Sequence, residues 1–133
     1  MVIDSSALVA ILLDEPEREL FTRVIVTGGP AVMSAAGYLE CGMVMVSRFG
    51  PAEGRFRLDG ELERLGIAIS AVTREQASSA IDGFVLYGKR RHKADLNFGD
   101  CFAYGLARTL GSPLLFKGDD FALTDVRSAL PQV

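Results

Sequence analysis

Short apolar runs alternate with longer amphipathic segments along this chain, a pattern that predicts strands interleaved with helices. The first run, Val2-Ile3, is a β-branched pair suited to a central strand of a parallel sheet, and Asp4 then stands at its carboxyl end. Ala7 to Leu13 is apolar almost throughout and reads as a buried helix capped by Ser5 or Ser6. Asp14-Glu15-Pro16-Glu17 breaks the chain before a helix whose apolar side is Leu20, Phe21, Val24 and Ile25, and Thr27-Gly28-Gly29-Pro30 stops that helix. Ala31-Val32-Met33 is the next expected strand. Ser34 then caps a helix on which Leu39, Gly42, Met43 and Val46 are expected to pack as a stripe, with Glu40 near its start.

The second half continues the alternation. Ala52 to Leu65 carries Glu53, Arg55, Arg57, Glu61, Glu63 and Arg64 in mixed sign, the mark of a solvated helix laced by ion pairs, and Gly66 ends it. Ile67-Ala68-Ile69 is a strand candidate, followed by a helix from Thr73 to Tyr87 with Ala77, Ala80, Ile81, Phe84 and Val85 on one side. Asn97 caps a helix reaching Leu110, in which Phe98, Phe102 and Leu106 recur at helical spacing as anchors and Gly99 leaves room for a close approach. Leu114-Leu115-Phe116 is the clearest buried strand, and Asp125 to Val133 is expected to add an edge segment. This order predicts an α/β three-layer sandwich around a central parallel sheet of about four or five strands.

Composition narrows the class. The 133 residues fit a single domain, 1–133, long enough to bury a core, and a hydrophobic share of 49% argues against disorder. No apolar run approaches the roughly 20 residues that cross a bilayer, so no membrane partner is expected. Met1-Val2-Ile3-Asp4 shows no basic leader, and a cytoplasmic protein is the expectation. Cys41 and Cys101 lack zinc-site spacing and read as small buried hydrophobes. The formal net charge of -3 does not decide for or against a nucleic-acid partner, because local patches matter more than the sum.

The candidate chemistry lies in the acids. Asp100 in a helix first turn can simply complement the helix dipole. Yet Asp4, Glu40, Asp100 and the pair Asp119-Asp120 all fall where a parallel sheet brings its carboxyl ends together. Carboxylates so gathered repel one another and hold protons unless a cation is present, and oxygen donors without His or Cys suit Mg²⁺ or Mn²⁺. Such a site activates water and stabilises charge on phosphate, the chemistry of phosphodiester hydrolysis. There is no Walker loop, dinucleotide glycine signature or nucleophile elbow, and a single His leaves little for a Ser-His-Asp triad. The run Lys89-Arg90-Arg91-His92-Lys93 either satisfies a helix carboxyl end or meets phosphate, with Arg90, Arg91 and Lys93 the phosphate-contact candidates.

At four places the sequence resembles the PIN-domain ribonucleases, and among them the VapC toxins of bacterial toxin-antitoxin pairs. These are Met1 to Leu8, Ser34 to Glu40, Leu96 to Tyr104, and Leu114 to Phe121 with Thr124-Asp125 beyond. The resemblance implies a Mg²⁺- or Mn²⁺-dependent endoribonuclease whose acids are Asp4, Glu40, Asp100 and one or both of Asp119 and Asp120, with Asp120 favoured because it precedes Phe121. It implies that Ser6 holds the first acid; Ser5 stands where many relatives carry Thr. It also implies an RNA substrate, a homodimer, and a small VapB-type antitoxin that covers the acidic cleft, often with an arginine, and makes any DNA contact itself. Two other readings are weighed: a phospho-receiver domain, for which Lys117 follows a late strand but adjacent acids after the first strand are missing, and an inactive PIN domain that binds RNA or protein without cutting.

Overall fold

The computed structural model describes residues 1–132. Four short strands, β1 (Val2–Ile3), β2 (Ala31–Ser34), β3 (Ile67–Ser70) and β4 (Leu114–Leu115), form one parallel sheet in the order β3-β2-β1-β4. Between them run the helices α1 (Ser5–Leu12), α2 (Arg18–Thr27), α3 (Ala35–Phe49), α4 (Pro51–Leu65), α5 (Arg74–Tyr87) and α6 (Phe98–Leu110). Successive strand residues point to opposite faces, and the two cores follow that alternation. Ile3, Ala31, Met33, Ile67 and Leu115 pack with α1 to α4, whereas Val2, Leu114 and Phe116 pack with Leu96, α6 and Phe121. The sheet is therefore the middle of three layers, as the alternation of runs predicts. The expected edge segment is present over its described part, Val133 lying outside the described residues: Leu114 N–H donates to the Arg127 carbonyl (2.8 Å), and Ala129 N–H donates to the Leu114 carbonyl (2.9 Å), in parallel register with Ser128.

Local signals place the helix ends. Ser34 accepts from Ala36 N–H (3.2 Å), Thr73 from Gln76 N–H (3.1 Å) and Asn97 from Asp100 N–H (2.9 Å), as their positions predict. Gly66 and Gly111 close α4 and α6 in the left-handed conformation. At α1 the expectation is corrected: the cap is Asp4 itself, which accepts from Ser6 N–H, rather than Ser5 or Ser6.

Three helices bury a different face from the one their large apolar residues indicate. On α3 the buried residues are Gly37, Cys41 and Met45, while Leu39 and Met43, expected in the core, are both 62% exposed. On α5 the buried residues are Gln76, Ala80 and Gly83, and Ile81, Phe84 and Val85 face outward. On α6 Leu106 and Tyr104 are buried, but Phe98 is 82% exposed and lies edge-on to Phe102 instead of anchoring the helix. The physical reason is close approach. A Cβ on Gly105 would strike the Gln76 carbonyl, and one on Gly83 would strike the Tyr104 ring, so small residues set the α5–α6 contact. Large residues on either side are then turned away. Gly105→Val is expected to destabilise the protein by about 2 kcal/mol or more, the cost of overpacking a tight contact; thermal unfolding checks it.

Candidate active site

Asp4 leaves the end of β1 and caps α1, and the sheet order puts it between β2 and β4. Asp4 is only 4% exposed, and its carboxylate is held by Ser6, whose N–H (3.0 Å) and hydroxyl (2.5 Å) both donate to Oδ2. The same Ser6 hydroxyl accepts from Lys117 N–H (3.0 Å), tying the acid to the chain leaving β4. Burial pushes the Asp4 pKa up, hydrogen bonds from Ser6 oppose that, and the charge of Asp120 adds to the rise.

Asp100 sits in the first turn of α6 in a reciprocal cap: its amide donates to Asn97 Oδ1, and its Oδ2 accepts from Asn97 N–H (3.0 Å). The dipole-partner role is thus real. Burial nevertheless pushes its pKa up to about 6, against the Asn97 hydrogen bond and with help from the charges of Asp4, Asp120 and Asp95. Glu40 projects from α3 toward Gly99, where a Cβ would collide with its carboxylate, so Gly99 makes the room expected of it. Burial raises the Glu40 pKa, the charges of Asp4 and Asp100 raise it further, and the Ser5 hydroxyl lowers it. Of the last pair, Asp120 is the member whose charge bears on both Asp4 and Asp100; it opens the short turn of 3₁₀ helix at Phe121–Leu123.

Among the described residues, no lysine, arginine or histidine pairs with any of these four acids. Lys117, the cation that leaves β4, turns instead to Glu15 and Glu17 (3.0 Å each). Carboxylates of which Asp4, Glu40 and Asp100 are pushed up first by burial and then by neighbouring charge, with no counter-charge supplied, fit a hard divalent cation in donor chemistry. The side chains feel one another's charge, but among the described residues no three His, Cys, Asp or Glu are gathered closely enough to share one ion.

The basic run forms a tight turn closed by a bridge between Gly88 and Leu96, with Arg90 in a left-handed conformation and its N–H donating to Asp95 (3.3 Å). Arg90 and Lys93 are exposed. Arg91 is drawn back onto α5, donating to the Val85 carbonyl (3.3 Å) with its guanidinium over the Phe84 ring. His92 accepts from Ala94 N–H through Nδ1 (3.0 Å), which gives it a structural use in the turn. Sequence reasoning named Lys117 only as a receiver-type lysine and missed its tie to Ser6, which no residue type could have revealed, because that contact is through the main chain.

A family model described as PIN domain matches residues 1–126. The chain belongs to the PIN-domain family. Within it, the VapC proteins are its relatives: this PIN domain is 52% identical to Ribonuclease VapC of Mycolicibacterium smegmatis, over 95% of this chain and 97% of that protein. It is 50% identical to Ribonuclease VapC30 of Mycobacterium tuberculosis, over 98% of this chain and the whole of that one. The crystal structure of Mycobacterium tuberculosis VapC20, a sarcin-ricin loop cleaving toxin, shares the fold with a TM-score of 0.76 at 16% identity, covering 98% of each chain.

The raised pKa of Asp100 carries a linkage consequence. Its carboxyl holds a proton to about 6 when folded against 3.8 ordinarily, so the folded state binds more protons in that window and loses stability as pH rises through it. Without divalent cations, Asp100→Asn is therefore expected to unfold at a higher temperature than the parent at neutral pH. The difference shrinks as pH falls toward about 4; thermal scans in chelator across that range check it.

Proposed function

We propose that this PIN domain is the toxin of a toxin-antitoxin pair, a Mg²⁺- or Mn²⁺-dependent endoribonuclease acting through Asp4, Glu40, Asp100 and Asp120, with Asp119 assisting at most. The observation that carries the reading is the buried Asp4 faced by three further carboxylates with no internal counter-charge. The names of the VapC relatives, ribonucleases, point to RNA as substrate. When bound, a divalent ion supplies an acidified water and a positive charge beside the scissile phosphate. Asp4 and Asp100 are the natural principal ligands, since Ser6 and Asn97 fix their carboxylates in place, while Glu40 and Asp120 add negative charge beside them. Arg90 and Lys93, exposed on the turn before α6, are suited to contact the RNA backbone, with Arg91 supporting them from α5.

The charge deficit of the acids also suits a VapB-type antitoxin, whose arginine would pair with carboxylates that this chain leaves uncompensated. Any DNA contact would be the antitoxin's. A homodimer is supported by the apolar face of Ile81, Phe84, Val85 and Phe98 beside a groove of about 670 Å³ between α5 and α6. No helix among the described residues is long and apolar enough to cross a membrane; action on RNA makes the cytoplasm the natural site. A phospho-receiver is disfavoured by Lys117, which is occupied by Glu15 and Glu17.

Asp4→Asn and Asp100→Asn are each expected to cut Mg²⁺- or Mn²⁺-supported RNA cleavage by more than about a hundredfold, beyond what outer-shell partners give. Asp119→Asn should stay within a few-fold of the parent. A gel-based cleavage assay decides, and full activity in either of the first two variants would overturn the site. Separately, Phe98→Asp is expected to yield monomers by light scattering if the apolar face joins two copies; an unchanged oligomer places the interface elsewhere.

A further inference from the structure

Asp120 lies on an exposed turn, 117–124, between β4 and the edge segment. A carboxylate on such a turn keeps its place only if both ends are tied. The near end is held by Lys117, through Ser6, Glu15 and Glu17. The middle is held by Phe121, which is buried with its ring 5.3 Å from that of Phe116.

The far end is held by a network that the catalytic reading does not use. Tyr104 is 1% exposed and donates its phenol hydrogen to Asp125 Oδ1 (2.9 Å), while Arg108 pairs with Asp125 Oδ2. Thr124 beside it donates to the Phe121 carbonyl (2.7 Å) and accepts from Val126 N–H (3.2 Å), so a fixed Asp125 fixes the turn behind it. Asp100, Tyr104 and Arg108 recur at i, i+4 and i+8 and form one row along α6. A phenylalanine at 104 would fill the core as well, so the hydroxyl serves only its contact with Asp125.

We propose that Tyr104 and Asp125 are positioning residues, which with Arg108 form a strap that hangs the Asp120 turn on α6 and so sets Asp120 in register with Asp100. The consequence for metal binding rests on the divalent-ion reading above; the strap itself does not. The full chain carrying Tyr104→Phe or Asp125→Asn is the test, with the second, surface variant retaining the question should the first fail to fold.

By hydrogen exchange in chelator, the amides of Ala122, Leu123 and Thr124 are expected to exchange faster in both variants while those of Leu106 and Ala107 keep their protection. Unchanged exchange in the turn overturns the strap, and so does uniform loss across α6. By calorimetric titration with Mn²⁺, affinity is expected to fall about tenfold, as for outer-shell partners, and this loss should vanish in an Asp120→Asn background. An equal loss in both backgrounds means that Tyr104 does not act through Asp120. A parent protein that binds no Mn²⁺ sinks the divalent-ion reading, and exchange alone then decides the strap.

Discussion

Burying the carboxylate of Asp4 at the end of the central strand is costly unless its oxygens are partnered, and much of the surrounding architecture answers that cost. Ser6 meets it with two hydrogen bonds from the first turn of α1. The pairing of β1 with β4 brings up Lys117, whose amide holds the Ser6 hydroxyl in place. The pairing of β1 with β2 starts α3 from the same sheet edge and so delivers Glu40. Asp100 arrives on α6, packed beneath the sheet by Tyr104 and Leu106. None of these acids brings a cation with it, so the edge is electrostatically unfinished.

That incompleteness divides function from stability. The hydrogen bonds at Asp4 and Asp100 orient the carboxylates but do not overcome burial, and both groups retain protons more strongly than ordinary acids. A chain selected for stability alone would place a lysine or an amide here. Lys117 is near enough by sequence to have served, but its ammonium is committed to Glu15 and Glu17 at the entrance to α2, leaving the acids open to an external cation.

The sequence makes legible whatever is decided locally. Caps at Ser34, Thr73 and Asn97, glycine stops at Gly66 and Gly111, and strands ending at acids are all written within a few residues. Faces are less legible, because α3 and α5 each carry two apolar stripes. The stripe with the larger side chains, Leu39 and Met43 or Ile81 and Phe84, faces out, because Gly54 against the Met45 backbone of α3, and Gly83 and Gly105 between α5 and α6, decide how closely the helices approach, and the small-residue face goes inside. The four acids could be picked out by their places at strand and helix ends. Asp120 is favoured over Asp119 already by its place before Phe121, and the turn adds that its charge bears on Asp4 and Asp100, whereas Lys117 entered through an amide that every non-proline residue possesses.

The bond between Lys117 and Ser6 joins residues 111 positions apart. A ribosome adding roughly 5–20 residues per second emits β1, α1 and Asp4 well before the strand that completes their surroundings. For that interval β1 can pair only with β2, and its other edge stands open. The acidic edge is therefore assembled only once β4 has been made, and a nascent chain possesses the first three acids while lacking the frame that makes them a site. The pairing of β4 with β1 is itself the step that closes the centre.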